Sequence, residues 1–506
     1  MAINAKYEKV LAGYREKLGK TQVVVDFKLP MNDAVAKVLC VSARVFVSNA
    51  ESVDKAVNYN GFVGFQVVYK NQDGVVGGST FTAEFKDRYE SEVDIMGTTP
   101  ILNANVVDTT TTLENGEVKV SAIIELDIDI IRQNEVNVLV DVADMQTKKE
   151  DFSYSTYSGL AYDKWDVVGD IEIKDNVKSV LAVLPNAYIE SVKPNDKFVT
   201  VKGGVDVEIC YLTDDNMLRT QNQNLTFTQE VAGDFLNDLS QINSQLANDI
   251  NENKITTTID TDVSTINVVL PMVYKGYTFN LNTLDVVVDA YSLTNFSNFT
   301  TTSIKTYKAV DSVSWEEKIT NTLQLDENAP VVDEVLGTCC DSIVVANSEI
   351  VDGRITVEGV AHTTLAYLNK ETNTLHSVEI EIPFTTSNTV DVDNNVSNNA
   401  YVTLINVCGK ARRGRDLEVS GTLLVYVDMY DTINEGVVTD VVLEEEIPEN
   451  ECAMSFYLAK DGDTVWDIAK EMSMTVDDLL MQNPLLSDPV ERGTRIVVYR
   501  QRLVEY

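Results

Sequence analysis

Apolar and polar residues alternate along most of this chain, and the alternation returns three times in nearly the same form. Phe62-Val63-Gly64-Phe65-Gln66-Val67-Val68-Tyr69, Val205-Asp206-Val207-Glu208-Ile209-Cys210-Tyr211 and Ile355-Thr356-Val357-Glu358-Gly359-Val360 each read as a strand with one face turned inward. Spacing ties them together. Val38-Leu39 is followed 22 residues later by Gly61 and 8 later by Tyr69, and Val180-Leu181 by Gly203 and Tyr211 at the same distances. Val335-Leu336 is followed by Gly359 after 23 residues and Tyr367 after 8. A polar turn follows each tyrosine, as in Lys70-Asn71-Gln72-Asp73-Gly74, which punctuates a hairpin. The copies start 142 and 155 residues apart, the length of a domain rather than of a solenoid unit.

The second half of each copy is strand-rich again. Val118-Lys119-Val120-Ser121 leads to Glu125-Leu126-Asp127-Ile128, Leu417-Glu418-Val419-Ser420 leads to Val425-Tyr426-Val427-Asp428, and the middle copy has Leu284-Asp285-Val286-Val287-Val288-Asp289. Alternation of this kind places the acidic side chains on the solvent faces of sheets. The fold expected is mainly β: three tandem antiparallel β-sandwich-like domains, over residues 23–150, 163–298 and 306–446. Two stretches match helical spacing instead. Residues 1–22 carry Tyr7, Val10, Leu11, Tyr14 and Leu18 on one stripe, and 234–251 carry Phe235, Leu239, Ile242, Leu246 and Ile250. Both are expected as amphipathic helices, the second an insertion that packs on its own sheet or meets a partner. Linkers are expected at 145–162, 297–305 and 444–453. The last of these holds the acidic, proline-containing run Glu444 to Glu451 and leaves 447–454 as the acidic linker between the third domain and the tail, which would let the tail move independently.

The tail, 455–506, changes pattern. Leu458 begins a short apolar strand, and Asp461-Gly462 is a turn pair. Asp463 or Thr464 can cap a helix with Val465, Ile468, Ala469 and Met472 on one face, and Thr475 a second helix, Val476 to Met481, stopped by Asn483-Pro484. Gly493 precedes a last strand, Ile496-Val497-Val498-Tyr499, so the unit reads βααβ.

Composition narrows the function classes. Apolar content of 44% supports real cores, and charged content of 24% is ordinary, but the formal net charge is −39. The tail contributes only −3 of it, from nine acidic and six basic residues. Such a field disfavours nucleic acid and anionic membranes; it suits a basic partner, divalent cations or plain solubility. No N-terminal secretion signal and no run long enough to span a membrane is visible. The six cysteines, of which Cys339 and Cys340 are adjacent, follow no disulfide or metal spacing, so a reducing cytosolic address is expected.

Catalytic chemistry is thin. The two histidines, His362 and His376, could face each other across a hairpin near Glu379, with a structural role the plainer reading. No nucleophile elbow or phosphate loop occurs. Asp391-Val392-Asp393-Asn394-Asn395 lacks the glycine and terminal glutamate of a calcium loop. No enzyme, metal or cofactor is expected. The one basic knot, Lys410, Arg412, Arg413 and Arg415, reads as a solvated hairpin tip, a clamp on a neighbouring acidic copy, or a docking patch for an acidic partner. Trp466 is either core or an anchor beside the turn, with Leu485-Leu486 as an opposite apolar lip.

The tail resembles a LysM domain through Gly462-Asp463-Thr464, Ile468-Ala469, Asn483-Pro484 and Gly493. The resemblance implies a binding groove between the first turn and the loop after the second helix, here Asp463, Thr464, Val465 and Trp466 facing Asn483, Pro484, Leu485 and Leu486. LysM domains usually take N-acetylglucosamine-containing glycans; this sequence departs from many of them in having no proline after the last strand. The whole chain, repeats followed by one such tail, resembles the SipL-type spore-coat morphogenetic proteins, whose repeat is the SPOCS domain. That resemblance implies a non-enzymatic adaptor in the mother-cell cytoplasm at the forespore surface. Its LysM domain would dock on the coat's basement-layer ATPase, a SpoIVA-like protein, while the SPOCS-like domains multimerise or recruit other coat proteins. The competing reading is a peptidoglycan or chito-oligosaccharide binder that tethers the β domains to cell wall or a phage-like particle.

Overall fold

A computed structural model describes residues 4–31, 34–115, 117–250, 255–260, 265–372, 374–413, 415–448 and 454–499. The chain is mainly β, in antiparallel sheets, with two short helices near its C-terminus. The first copy runs β1 (Ala5–Lys28), β2 (Val35–Val53), β3 (Ala56–Asn71), β4 (Val76–Glu90), β5 (Thr99–Glu114) and β6 (Glu117–Val142). The second runs β7 (Gln146–Glu172), β8 (Val177–Asn195), β9 (Phe198–Thr213), β10 (Leu218–Ala232), β11 (Ser240–Asn248), β12 (Thr256–Asp260) and β13 (Thr265–Tyr291). The third runs β14 (Asn295–Gln324), β15 (Glu334–Val351), β16 (Arg354–Asn369), β17 (Thr374–Thr389), β18 (Ser397–Arg413) and β19 (Asp416–Glu446). Each copy pairs its long first and last strands and adds a penultimate strand, giving the orders β1-β6-β5 and β14-β19-β18. The middle strands form a second sheet, β2-β3-β4, β8-β9-β10 or β15-β16-β17. In the second copy β11 and β12 share the penultimate place along β13.

The repeat motif has a mechanical meaning that its spacing alone does not reveal. In each copy the valine pairs with the tyrosine and the next residue of the ladder is skipped: Val38↔Tyr69 then Cys40↔Val68, Val180↔Tyr211 then Ala182↔Cys210, Val335↔Tyr367 then Gly337↔Ala366. The skipped residue is the motif leucine, held in a β-bulge that re-aims its side chain. Leu39, Leu181 and Leu336 all pack into one cluster shared by the three copies. The glycine marks a second bulge. A Cβ at Gly61, Gly203 or Gly359 would lie 2.2 Å from the carbonyl oxygen of Phe46, Tyr188 or Val344, and against the ring of Phe85, Phe227 or Phe384. No side chain fits there.

The leucines meet because the copies stand around a common axis. β4 packs against β8, β10 against β15 and β17 against β2, so each middle sheet hands on to the next and the third returns to the first. Below them the long strands continue past their own sheets and pack on one another, with Val138, Val286 and Val437 in one shared cluster and Leu139, Val287 and Val438 in another. Each copy also keeps a sandwich core of its own. The body is therefore a closed pseudo-threefold ring built from one chain, and the ring covers strand edges that separate domains would expose.

This closure explains where the sequence expectations fail. Within the segment 1–22, of which residues 1–3 lie outside the described residues, the expected helix is a strand: β1 pairs with β6 from Ala5 to Lys28, burying Val10, Ala12 and Tyr14 on one side at period two. The helix expected over 234–251 is a turn followed by β11, which pairs with β13; Asn251 lies outside the described residues. Ile242 and Leu246 are four apart, a step that suits one face of a helix and one face of a strand equally. Segments 145–162 and 297–305 are not linkers but lie largely in β7 and β14. Some acidic side chains also leave the solvent face: Asp206 and Glu208 on β9 are each 2% exposed, because their face of the strand is covered by the third copy.

Candidate functional site

The tail is a compact βααβ module: β20 (Met454–Leu458) pairs with β21 (Arg495–Tyr499), with α1 (Val465–Glu471) and α2 (Val476–Gln482) between them. Its core is Tyr457, Val465, Ile468, Ala469, Leu479, Val490, Ile496 and Val498. Thr464 caps α1. Its hydroxyl accepts from the Asp467 N–H at 3.1 Å, and the Asp467 carboxylate accepts from the Thr464 N–H at 3.1 Å. The same hydroxyl holds the Asp467 carboxyl below its usual range. Thr475 caps α2, with Asp477 and Asp478 in the first turn.

Several residues expected to line a groove hold the module together instead. Asp463 Oδ2 accepts from the Tyr457 hydroxyl at 2.9 Å and from the Lys460 N–H at 2.7 Å. Val465 is buried and its N–H donates to Asp488. Asn483 Nδ2 donates to the carbonyls of Leu479 and Val497, and its Oδ1 accepts from the Val497 N–H, tying the end of α2 to β21. Leu486 is half-buried against the core, whereas Pro484 is exposed. Leu485 is 97% exposed and Met481, one turn before it, 75%. An apolar lip therefore stands free at the end of α2.

Trp466 settles between its two readings in an unforeseen way. Its indole Nε1 donates to Asp289 Oδ2 at 2.7 Å, and Lys470, one turn along α1, donates to Asp289 Oδ1 at 2.6 Å. Asp289 belongs to the end of β13, in the body. There Tyr291 meets the Trp466 ring edge-on, centroids 4.9 Å apart, and its hydroxyl donates to the Met474 carbonyl at 2.7 Å. Burial, and then Asp289, push the Tyr291 phenol up to about 12. The module is thus seated on the second copy rather than independent. Of the expected linker 447–454, residues 449–453 lie outside the described residues, and the Ile447 N–H donates to the Thr294 carbonyl at 2.8 Å. Sequence reasoning missed a second apolar surface, the outer face of the module's sheet, where Met454, Phe456, Leu458 and Tyr499 are exposed. The alternation of Met454, Phe456 and Leu458 carried that signal.

The basic knot sits on the β18–β19 hairpin. Arg412 pairs with Glu418 and Arg415 donates to the Ala329 carbonyl, while Lys410 and Arg413 stay exposed. His362 and His376 do not face each other: His362 lies opposite Glu381, and His376 is opposite Tyr367 and stacks on its ring. Among the described residues no group of three or more histidine, cysteine or acidic side chains is arranged to hold a metal ion, and no helix is long and apolar enough to cross a membrane.

A second concentration of titratable groups lies where the copies meet at the axis. Arg44 of the first copy donates to Asn186 of the second and to the Cys340 carbonyl of the third. Beside it are Cys40, Cys210, Cys339, Asp206, Glu208 and Asp341. Burial pushes Glu208 up to about 8, Asp341 to about 7 and Asp206 to about 6, and raises the Cys210 thiol well above its ordinary value; the hydrogen bond with Cys40, and then burial, do the same to Cys339. Burial thus favours the neutral form of these groups, which pack as part of the interior.

Residues 332–408 match the family described as SipL, SPOCS domain. The match covers the middle sheet of the third copy and reaches into β18. No curated protein and no solved structure matches the chain.

Proposed function

We propose that this protein is a non-enzymatic structural adaptor in spore-coat assembly, acting in the mother-cell cytoplasm at the forespore surface. The observation that carries the reading is the SipL SPOCS match in the third copy, whose bulged leucine, tight glycine and buried tyrosine recur in the other two. In this reading all three copies are SPOCS-like units, and the tail is a LysM-type module that docks on a SpoIVA-like basement-layer ATPase. Other coat proteins would be recruited by the body. The apolar lip of Met481, Pro484 and Leu485 suits a protein contact, because an exposed aliphatic anchor gains by desolvation. Asp463, Thr464 and Asn483 have their hydrogen-bonding capacity committed inside the module, which leaves few of them to read sugar hydroxyls.

The test is capture of the full-length purified chain on two supports, one bearing the SpoIVA-like ATPase and one of purified peptidoglycan. Retention on the ATPase that Leu485→Asp weakens at least about tenfold supports the adaptor. Retention on peptidoglycan that chito-oligosaccharide abolishes, with none on the ATPase, rejects it in favour of a wall-binding protein.

A further inference from the structure

The three copies leave a cavity of about 760 Å³ between them, within the range of small-molecule sites. Strands from all three copies wall it, so it exists only in the closed ring. Four cations and three carboxylates line it: Arg15, Lys17, Lys20 and Lys275 against Glu125, Asp127 and Asp129. Two of the cations account for all three acids. Arg15 Nε donates to Asp129 at 2.7 Å, and Lys20 Nζ lies 3.0 Å from Glu125 and 3.3 Å from Asp127.

Lys17, exposed at the wall, and Lys275, half-buried in it, form no ion pair among the described residues. Lys275 Nζ donates to the Val47 carbonyl at 3.1 Å and lies 5.7 Å from the centre of the Phe46 ring. Neither contact brings a negative charge, and burial together with Lys164 disfavours its charged form. The repeat itself makes the contrast. Aligning the buried stripes Val118/Val120/Ile124, Ile266/Val268/Met272 and Leu417/Val419/Leu423 puts Asp127, Lys275 and Tyr426 in one register. Asp127 is answered by Lys20, and the Tyr426 hydroxyl donates to Asp428 at 2.6 Å. Lys275 is the member of the set without a countergroup. A second observation points the same way: the hydroxyl of Tyr401, which also lines the cavity, is buried and has no hydrogen-bond partner.

We propose that this cavity binds a small hydroxylated oxyanion, carboxylate or phosphate, with Lys275 and Lys17 supplying the countercharge and the Tyr401 hydroxyl a directional hydrogen bond. A partly buried ammonium without a counterion is costly, and an anion of the right size removes that cost at Lys275, where the protein does not. Because three copies build the wall, an occupant would also brace the ring by mass action.

Isothermal titration of the full chain with citrate, inorganic phosphate and neutral sorbitol tests this. Saturable one-to-one binding of citrate or phosphate below about 1 mM is expected, with none for sorbitol; which anion binds distinguishes a carboxylate from a phosphate site. Lys275→Met should weaken binding at least tenfold, and Tyr401→Phe, which keeps the ring and removes only the hydroxyl, should weaken it several-fold. Absence of saturable heat with both anions overturns the proposal. So does unchanged affinity in whichever of the two variants retains the wild-type circular dichroism.

Discussion

Replacing Glu208 by glutamine should stabilise this protein at pH 8 and do little at pH 5. Glu208 is buried at the junction of the copies, with one carboxylate oxygen lacking any partner. Burial is the main cause that lifts its pKa from 4.5 to about 8, and the neighbouring carboxyl of Asp341 adds to it. In the unfolded chain the same group titrates near its ordinary value. The folded state therefore holds a proton that the unfolded state has already released. Its contribution is whole below about pH 4 and is lost as pH rises towards 8. Each pH unit over which only the folded state holds that proton costs about 1.4 kcal/mol, so the loss between pH 5 and pH 8 is on the order of 3 kcal/mol. Glutamine keeps the shape, cannot ionise and should remove most of that slope. The assay is urea unfolding followed by tryptophan fluorescence at pH 5, 6.5 and 8. Wild type should lose stability across the series, and Glu208→Gln should gain on it by a few kcal/mol at the upper end. Parallel curves for the two proteins would refute the reasoning. They would mean that Glu208 is as well solvated in the ring as in the unfolded chain.

Further outcomes follow from other parts of the structure. Gly359→Ala puts a Cβ 2.2 Å from the Val344 carbonyl oxygen, so the strand must shift; a loss of about 2 kcal/mol or more is expected in the same unfolding assay. Asp289→Ala removes the acceptor shared by Trp466 and Lys470, worth about 2 kcal/mol for charge-assisted bonds, and should release the tail module, read as a larger radius of gyration in small-angle scattering. Arg15→Met leaves Asp129 buried without its cation and should cost about 3–5 kcal/mol, checked by thermal unfolding at pH 7.

Alternation at period two was enough to give the mainly β class, the three copies and the βααβ tail, because a half-buried strand and an amphipathic helix leave different periods in the residues themselves. The caps were equally local: Thr464 with Asp467 and Thr475 with Asp478 are written in four consecutive residues each. What lay beyond the sequence was which polar face is truly outside. Asp206 and Glu208 look like a solvent face until the third copy covers them, and Tyr7 to Leu18 look helical until β6 pairs with them over the whole strand. Trp466 could not be assigned because its partner, Asp289, lies 177 residues away. Periodicity reports one element against its own surroundings. The ring, the seat of the module and the cavity come from contacts between elements distant in sequence, and only closure of the three copies decided them.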